Sequence, residues 1–157
     1  IITNNPKAKG LNFAKKFKIE KKIINYSNIK NAEKKILIEL KKNKVNLICL
    51  AGFMKILSKN FIKNFKGKII NIHPSLLPKY KGLNTHQRAM NNREKYSGCT
   101  VHYVNSKLDS GKIIIQKKVR ILKNDTFDSL NKRVLKHEHI IYTKALKKIL
   151  YNLYKRN

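Results

Sequence analysis

Acidic residues are scarce in this chain of 157: eight carboxylates, three of them aspartate, stand against 37 basic residues, for a formal charge of +29. Cysteine is scarce too. Cys49 and Cys99 have no CxxC spacing and no nearby ligand pair, so no metal is expected. Each lies in an apolar run and is expected to be a buried free thiol in a reducing compartment, which gives a cytoplasmic expectation. No apolar stretch reaches the roughly 20 residues of a membrane-spanning helix, because Lys or Asn interrupts every one, so no membrane partner is expected. Internal repeats, low-complexity linkers and a signal-type hydrophobic segment are missing as well. The length suits one domain over residues 1–157. The opening Ile-Ile-Thr has no Met and reads as the end of a strand, so an N-terminal truncation is expected.

The charge is the most conspicuous property present, and a strongly basic chain ordinarily suggests nucleic acid or an anionic surface. All but five of the 37 basic residues are lysine; the arginines are Arg88, Arg93, Arg120, Arg133 and Arg156. Arginine is the residue suited to bidentate contacts with phosphate and guanine, and the lysines are spread over every expected helix. The tyrosines are not interleaved with arginine as in a base-stacking platform. Most of the charge therefore reads as solvated helix surface, and no nucleic-acid partner is expected.

The hydrophobic pattern alternates strands and helices. After a strand end at Ile1–Thr3 and an Asn4-Asn5-Pro6 turn, a helix is expected over Lys7–Phe17 with Leu11, Ala14 and Phe17 inward. A short strand at Ile23–Ile24, an amphipathic helix Ala32–Lys42 and a strand Val45–Leu50 follow. The last is apolar on both faces, as in a covered parallel sheet. A helix Lys59–Phe65 leads to a strand Lys68–Ile72, a loop His73–Gly82 and a helix Thr85–Asn91. Strands Thr100–Val104 and Lys112–Arg120 leave no room for a crossover helix and should pair antiparallel. Asp125 or Thr126 can cap a final helix to about Leu153, with Leu130, Val134, Ile141, Leu146 and Ile149 as its apolar stripe. The fold class is thus α/β, a mostly parallel sheet flanked by helices with antiparallel strands in the C-terminal half.

Chemistry is expected where a parallel strand ends. Asn71 and His73 are two apart at such an end, so their side chains share one face. An amide able to donate to an oxyanion beside an imidazole able to move a proton suits acyl transfer through a tetrahedral intermediate; a structurally bonded strand-end histidine is the alternative. Asp109, in the turn Leu108-Asp109-Ser110-Gly111, either bonds its own backbone or meets His73, where its charge would orient the ring and favour the imidazolium. Glu138, between His137 and His139 on the last helix, could receive an amine or a ribose hydroxyl, or be a surface residue. The two histidines fall on different helix faces, which discounts metal. His86 and His102 read as a helix-start and a strand residue without a chemical role.

Three segments carry a family resemblance. Ala51-Gly52-Phe53-Met54-Lys55-Ile56-Leu57, then Asn71-Ile72-His73-Pro74-Ser75-Leu76-Leu77-Pro78-Lys79-Tyr80, then Leu108-Asp109-Ser110-Gly111 resemble, in order along the chain, the phosphoribosylglycinamide formyltransferases. Gly82-Leu83-Asn84-Thr85-His86 narrows the likeness to this branch of the folate-dependent formyl transferases. The resemblance implies a Rossmann-like formyltransferase fold. It also implies formyl transfer from 10-formyltetrahydrofolate, as cosubstrate, to the amine of glycinamide ribonucleotide in purine biosynthesis, by a monomer or homodimer. By the same resemblance Asn71, His73 and Asp109 are catalytic. The folate would lie against Met54, Lys55, Ile56 and Leu57, against Asn71, and against Asn105, Ser106, Lys107, Leu108 and Asp109, with Lys30 nearby. Glu138 would bind the ribonucleotide.

The family also has an opening strand and a phosphate-cradling loop at a helix N-terminus that this sequence does not show, so weak binding of the ribonucleotide and low stability are expected. Formyltetrahydrofolate deformylase shares the triad but takes water as acceptor. Methionyl-tRNA formyltransferase continues into a C-terminal barrel for which there is no sequence after Leu153. A basic nucleic-acid-binding module without catalysis is the remaining alternative, marked by steep salt dependence of binding.

Overall fold

The computed structural model describes residues 1–155, so Arg156 lies outside the described residues. The chain forms two compact units: Ile1–Asn46 with Leu57–Gly67, and Leu47–Ile56 with the chain from Lys68 onward.

In the first unit β1 (Ile2–Thr3) pairs in parallel with β2 (Lys22–Ile23), and α1 (Gly10–Lys16) connects them. The expected inward Phe17 is exposed, because the helix stops at Lys16 and Phe17 is its C-cap with φ −99°, turned off the helical face; Ala14 alone is buried. The helix α2 (Ile29–Lys42) starts earlier than its apolar pattern because the Asn28 side chain accepts from the Asn31 N–H at 3.0 Å. Ile36 and Leu40 are buried on its inner face. Glu33 is buried there as well, and its carboxylate accepts from the N–H and hydroxyl of Ser58 at 2.7 and 2.5 Å. Ser58 Oγ in turn accepts from the Phe61 N–H at 3.0 Å and caps α3 (Lys59–Asn64). One buried carboxylate thus fixes the start of one helix against the body of another, and both its oxygens are hydrogen-bonded as burial demands.

The second unit is a four-stranded sheet. β3 (Leu47–Leu50) pairs in parallel with β4 (Lys68–His73); β5 (Tyr96–Tyr103) runs antiparallel to β4, and β6 (Ile113–Arg120) antiparallel to β5. The order is β3-β4-β5-β6. The expected antiparallel pair is therefore present, with β5 beginning at Tyr96 because Tyr96–Cys99 pair with Lys117–Arg120. β3 is an edge of this sheet, and Cys49 on it is exposed rather than buried. Two-sided burial needs a layer packed over each face of the strand, and on this terminal strand the Cys49 side chain is left uncovered. Cys99, on the interior β5, is fully buried, which pushes its thiol up to about 12.

α4 (Thr85–Asn91) follows the loop after β4, and the long α5 (Phe127–Tyr154) covers one face of the sheet. Ile70, Cys99, Val101 and Val119 from the sheet pack with Leu130, Val134, Ile141, Ala145 and Ile149 of α5. The start of α5 is a reciprocal box: the Thr126 N–H donates to Ser129 Oγ at 3.0 Å and the Ser129 N–H to Thr126 Oγ1 at 3.2 Å. Because strand side chains alternate, burying Ile70 and Val101 against α5 sends Asn71, His73, Thr100 and His102 to the opposite face. The hydrophobic pattern alone thereby collects the polar residues of two strands on one surface.

Candidate active site

Asn71 and His73 end β4, where β5 lays His102 opposite Asn71 and Thr100 opposite His73. The loop after β4 is fastened to β5 by hydrogen bonds. Thr100 Oγ1 donates to the Ser75 carbonyl at 2.6 Å and accepts from the Leu77 N–H at 3.2 Å, and Gln116 donates to the Leu77 carbonyl at 2.8 Å. Thr85 Oγ1 donates to the Pro74 carbonyl at 2.6 Å and binds α4 to the same loop. A Cβ on Gly98 would overlap the Lys117 carbonyl, so the strand backbone is bare where Leu76 packs on it.

This scaffold holds the His73 ring 5% exposed between two acceptors. Its Nε2 donates to the Tyr80 carbonyl at 2.9 Å, and its Nδ1 lies 3.4 Å from Asp109 Oδ2. Tyr80 adopts φ 55°, a left-handed conformation that turns its carbonyl back to the ring. With Nε2 committed to Tyr80, Nδ1 is the nitrogen left to exchange a proton. Asp109 is itself left-handed, with φ 43°, and its Oδ2 also accepts from the Gly82 N–H at 2.9 Å. It thus reaches His73, and the backbone N–H that it accepts belongs to Gly82 in another loop rather than to its own turn. Lys81 Nζ donates to Ser110 Oγ at 2.5 Å and closes the Asp109 loop on the loop after β4.

His102, expected to have no chemical role, belongs to the cluster. It is buried, with Nε2 3.4 Å from Asn71 Nδ2 and 3.6 Å from Asp109 Oδ1. Its burial holds the ring below the usual imidazole range; the Tyr103 carbonyl and Asp109 push the other way, and His73 adds to the lowering. Tyr80 and Gly82 stand in motif segments of the sequence without a site role of their own, and His102 reads there as a strand residue without a chemical role. The signal for His102 was the antiparallel pairing of its strand with β4, which sets it across from Asn71.

Around the cluster, Met54 and Ile56 are 75% and 67% exposed in the loop after β3, and Leu108 is half exposed beside Asp109. Lys55, Asn105, Ser106 and Lys107 are exposed as well. Apolar side chains left in water are what a flat heteroaromatic ligand would cover. Lys30 and Leu57 belong to the first unit, where Leu57 is buried and Lys30 is exposed on a groove of α2 and α3. Glu138 is half-buried on α5, where burial raises its carboxyl above the usual range and its charge is felt at Cys99. Among the described residues no group of three or more His, Cys, Asp or Glu could hold a metal ion. Among them, too, no helix is long and apolar enough to cross a membrane.

An amide, an imidazole and a carboxylate gathered on a sheet with mixed pairing are groups that acyl transfer uses, and the chain belongs to the Formyl transferase family, which it matches over residues 1–146. Within that family it is 43% identical over 150 residues to the phosphoribosylglycinamide formyltransferase of Haemophilus influenzae, covering 94% of this chain and 71% of that one. The crystal structure of phosphoribosylglycinamide formyltransferase from Anaplasma phagocytophilum superposes with a TM-score of 0.89 at 42% identity, covering 96% of this chain and 73% of that one. The trifunctional purine biosynthetic protein adenosine-3 of Drosophila melanogaster is 43% identical over 149 residues, 93% of this chain. The chain spans 11% of the length of that protein. The Rossmann-like formyltransferase fold expected from the sequence is the fold observed.

Proposed function

We propose that this chain transfers the formyl group of 10-formyltetrahydrofolate to the amine of glycinamide ribonucleotide, a step of purine biosynthesis carried out in the cytoplasm. The observation that carries the reading is the clustering of Asn71, His73 and Asp109 on one face at the end of β4. The likeness to phosphoribosylglycinamide formyltransferases supports it.

The chemistry follows from the geometry. The amine nitrogen attacks the formyl carbon, a new C–N bond forms, and the carbonyl oxygen becomes an oxyanion within reach of an Asn71 N–H. The attacking nitrogen must lose a proton and the departing folate N10 must gain one. His73 Nδ1 is the atom that can mediate this, since Nε2 is held by Tyr80. Asp109, 3.4 Å away, stabilises positive charge on that ring while the proton resides there. The C–N10 bond then breaks and the oxyanion collapses to the formamide.

The pterin of the folate would pack on Met54 and Ile56, with Lys55 beside them, and meet the backbone of Asn105–Asp109. Glu138 takes the ribonucleotide. The lysine-rich surface supplies a positive field that draws in a phosphorylated amine and an anionic folate without invoking nucleic acid. The test is to supply 10-formyltetrahydrofolate and follow the deformylated folate with and without glycinamide ribonucleotide. Release that requires the ribonucleotide supports transfer. Release at the same rate without it means water is the acceptor and contradicts the reading.

A further inference from the structure

A register shift between Val101 and His102 interrupts the β5–β6 ladder beside the cluster, a distortion of the kind that re-aims a strand side chain. His102 Nδ1 lies 2.8 Å from the Tyr103 carbonyl oxygen. A carbonyl can only accept, so Nδ1 carries the hydrogen, and in the uncharged ring Nε2 is a bare lone pair. Two groups face that lone pair: the Asn71 amide nitrogen at 3.4 Å and Asp109 Oδ1 at 3.6 Å. A carboxylate oxygen cannot donate, so among the described residues the hydrogen that meets Nε2 is one of the two on Asn71 Nδ2, and no described group takes the other. A proton on Nε2 would reverse the arrangement, favouring the Asn71 oxygen against the ring and pulling Asp109 away from His73.

We propose that His102, in its Nδ1–H tautomer, is a positioning residue that holds the Asn71 amide nitrogen ready for a developing oxyanion and leaves the Asp109 carboxylate to His73. Asp109 and His73 are the titratable groups that act on it, with opposite signs, and burial outweighs both. The Tyr103 carbonyl that sets the tautomer is itself fixed. Tyr103 N–H donates to the Lys112 carbonyl at 2.9 Å, and a Cβ on Gly111 would overlap the Tyr103 oxygen, so only glycine permits this approach. The catalytic consequence rests on the formyl-transfer reading; the tautomer does not.

The experiment therefore has two arms. Long-range 1H–15N spectra of the imidazole nitrogens at pH 7 should show His102 with a protonated Nδ1 and an unprotonated Nε2; a proton on Nε2 overturns the proposal whatever the activity. In the second arm, Gln at this position places an acceptor where Nε2 was, whereas Asn places a group only where Nδ1 was. His102→Gln should keep the wild-type Asn71 side-chain amide resonances and stay within about tenfold of wild-type kcat. His102→Asn should shift those resonances and lose about 100-fold in kcat, the scale of a lost oxyanion donor, with KM for the formyl folate unchanged. Equal behaviour of the two variants would show that His102 merely fills space. Absence of turnover with the expected tautomer and resonances would count against formyl transfer and leave the positioning intact.

Discussion

Asp109 Oδ2 stands 3.4 Å from His73 Nδ1 while accepting the Gly82 N–H at 2.9 Å, so one carboxylate oxygen ties the ring to the loop that follows β4. The contact is side-chain to side-chain between the end of β4 and the loop after β5, and it would give Asp109 an electrostatic and an orienting task together. Asp109→Asn keeps the shape and removes the charge. We expect kcat to fall by about 10²-fold with KM for formyl folate little changed, measured by steady-state kinetics on both substrates. An unchanged kcat would remove Asp109 from the proton path.

The Tyr80 carbonyl, not its phenol, holds His73. The phenol donates to Glu94 Oε1 at 2.9 Å in a network with exposed Lys79, so Tyr80→Phe should change stability by less than about 1 kcal/mol and leave kcat intact. Tyr80→Gly, which accepts a positive φ, should also retain most activity. Tyr80→Val cannot hold φ 55° without strain and should lose at least about tenfold in kcat. Equal kinetics for Gly and Val would show that the backbone carbonyl does not matter.

Glu138 is the residue expected to meet the ribonucleotide, and its carboxyl is raised by burial. Glu138→Gln should raise KM for glycinamide ribonucleotide about tenfold or more while KM for formyl folate stays put. A rise in the folate KM alone would move Glu138 to the other substrate.

Burial lowers both His86 and His102, with His73 adding to the lowering of each. The unfolded chain takes up protons at these residues near the ordinary imidazole value of about 6.5, while the native chain resists until lower pH. Over that window the unfolded state binds more protons, so stability rises with pH and falls on acidification. Glu138, raised by burial, acts in the opposite sense above its ordinary value of 4.5. The melting temperature should drop between pH 7.5 and 5.5, and His86→Gln should reduce the drop. An identical pH slope in the variant would exclude His86 as a source.

Asp125 gathers the start of α5: it accepts from Leu122 N–H at 2.7 Å, Ser129 Oγ at 2.7 Å and Arg133 Nη2 at 2.6 Å. Asp125→Ala should cost about 1–2 kcal/mol in chemical denaturation, in the range of a lost helix cap, without changing KM for either substrate. No loss of stability would mean that the Thr126–Ser129 box suffices.

Period-two spacing made the Asn71–His73 pair legible from sequence, because strand geometry alone puts both on one face. Asp109 stayed ambiguous because its partner lies on another loop, and local turn chemistry accounts for an Asp before Gly equally well. His102 was hidden for a different reason: its meaning depends on which strand β5 pairs with and in which register, and neither is encoded in the residues around it. Cys49 was misjudged because a doubly apolar strand reads as interior, whereas its burial is decided by what packs over it, and on this terminal strand the thiol is left exposed. The resemblance supplied Lys30 and gave the ribonucleotide to Glu138, which the residues alone left between a ligand contact and a surface position; both stand as proposals.

The most direct test of formyl transfer uses 10-formyltetrahydrofolate labelled with 13C in the formyl carbon, glycinamide ribonucleotide, and mass analysis of the ribonucleotide product. The mechanism predicts formylated ribonucleotide carrying the label, formed about 10²–10³-fold more slowly by Asn71→Ala and about 10²–10⁴-fold more slowly by His73→Ala. Label appearing as free formate, or transfer at the wild-type rate in both variants, would contradict it.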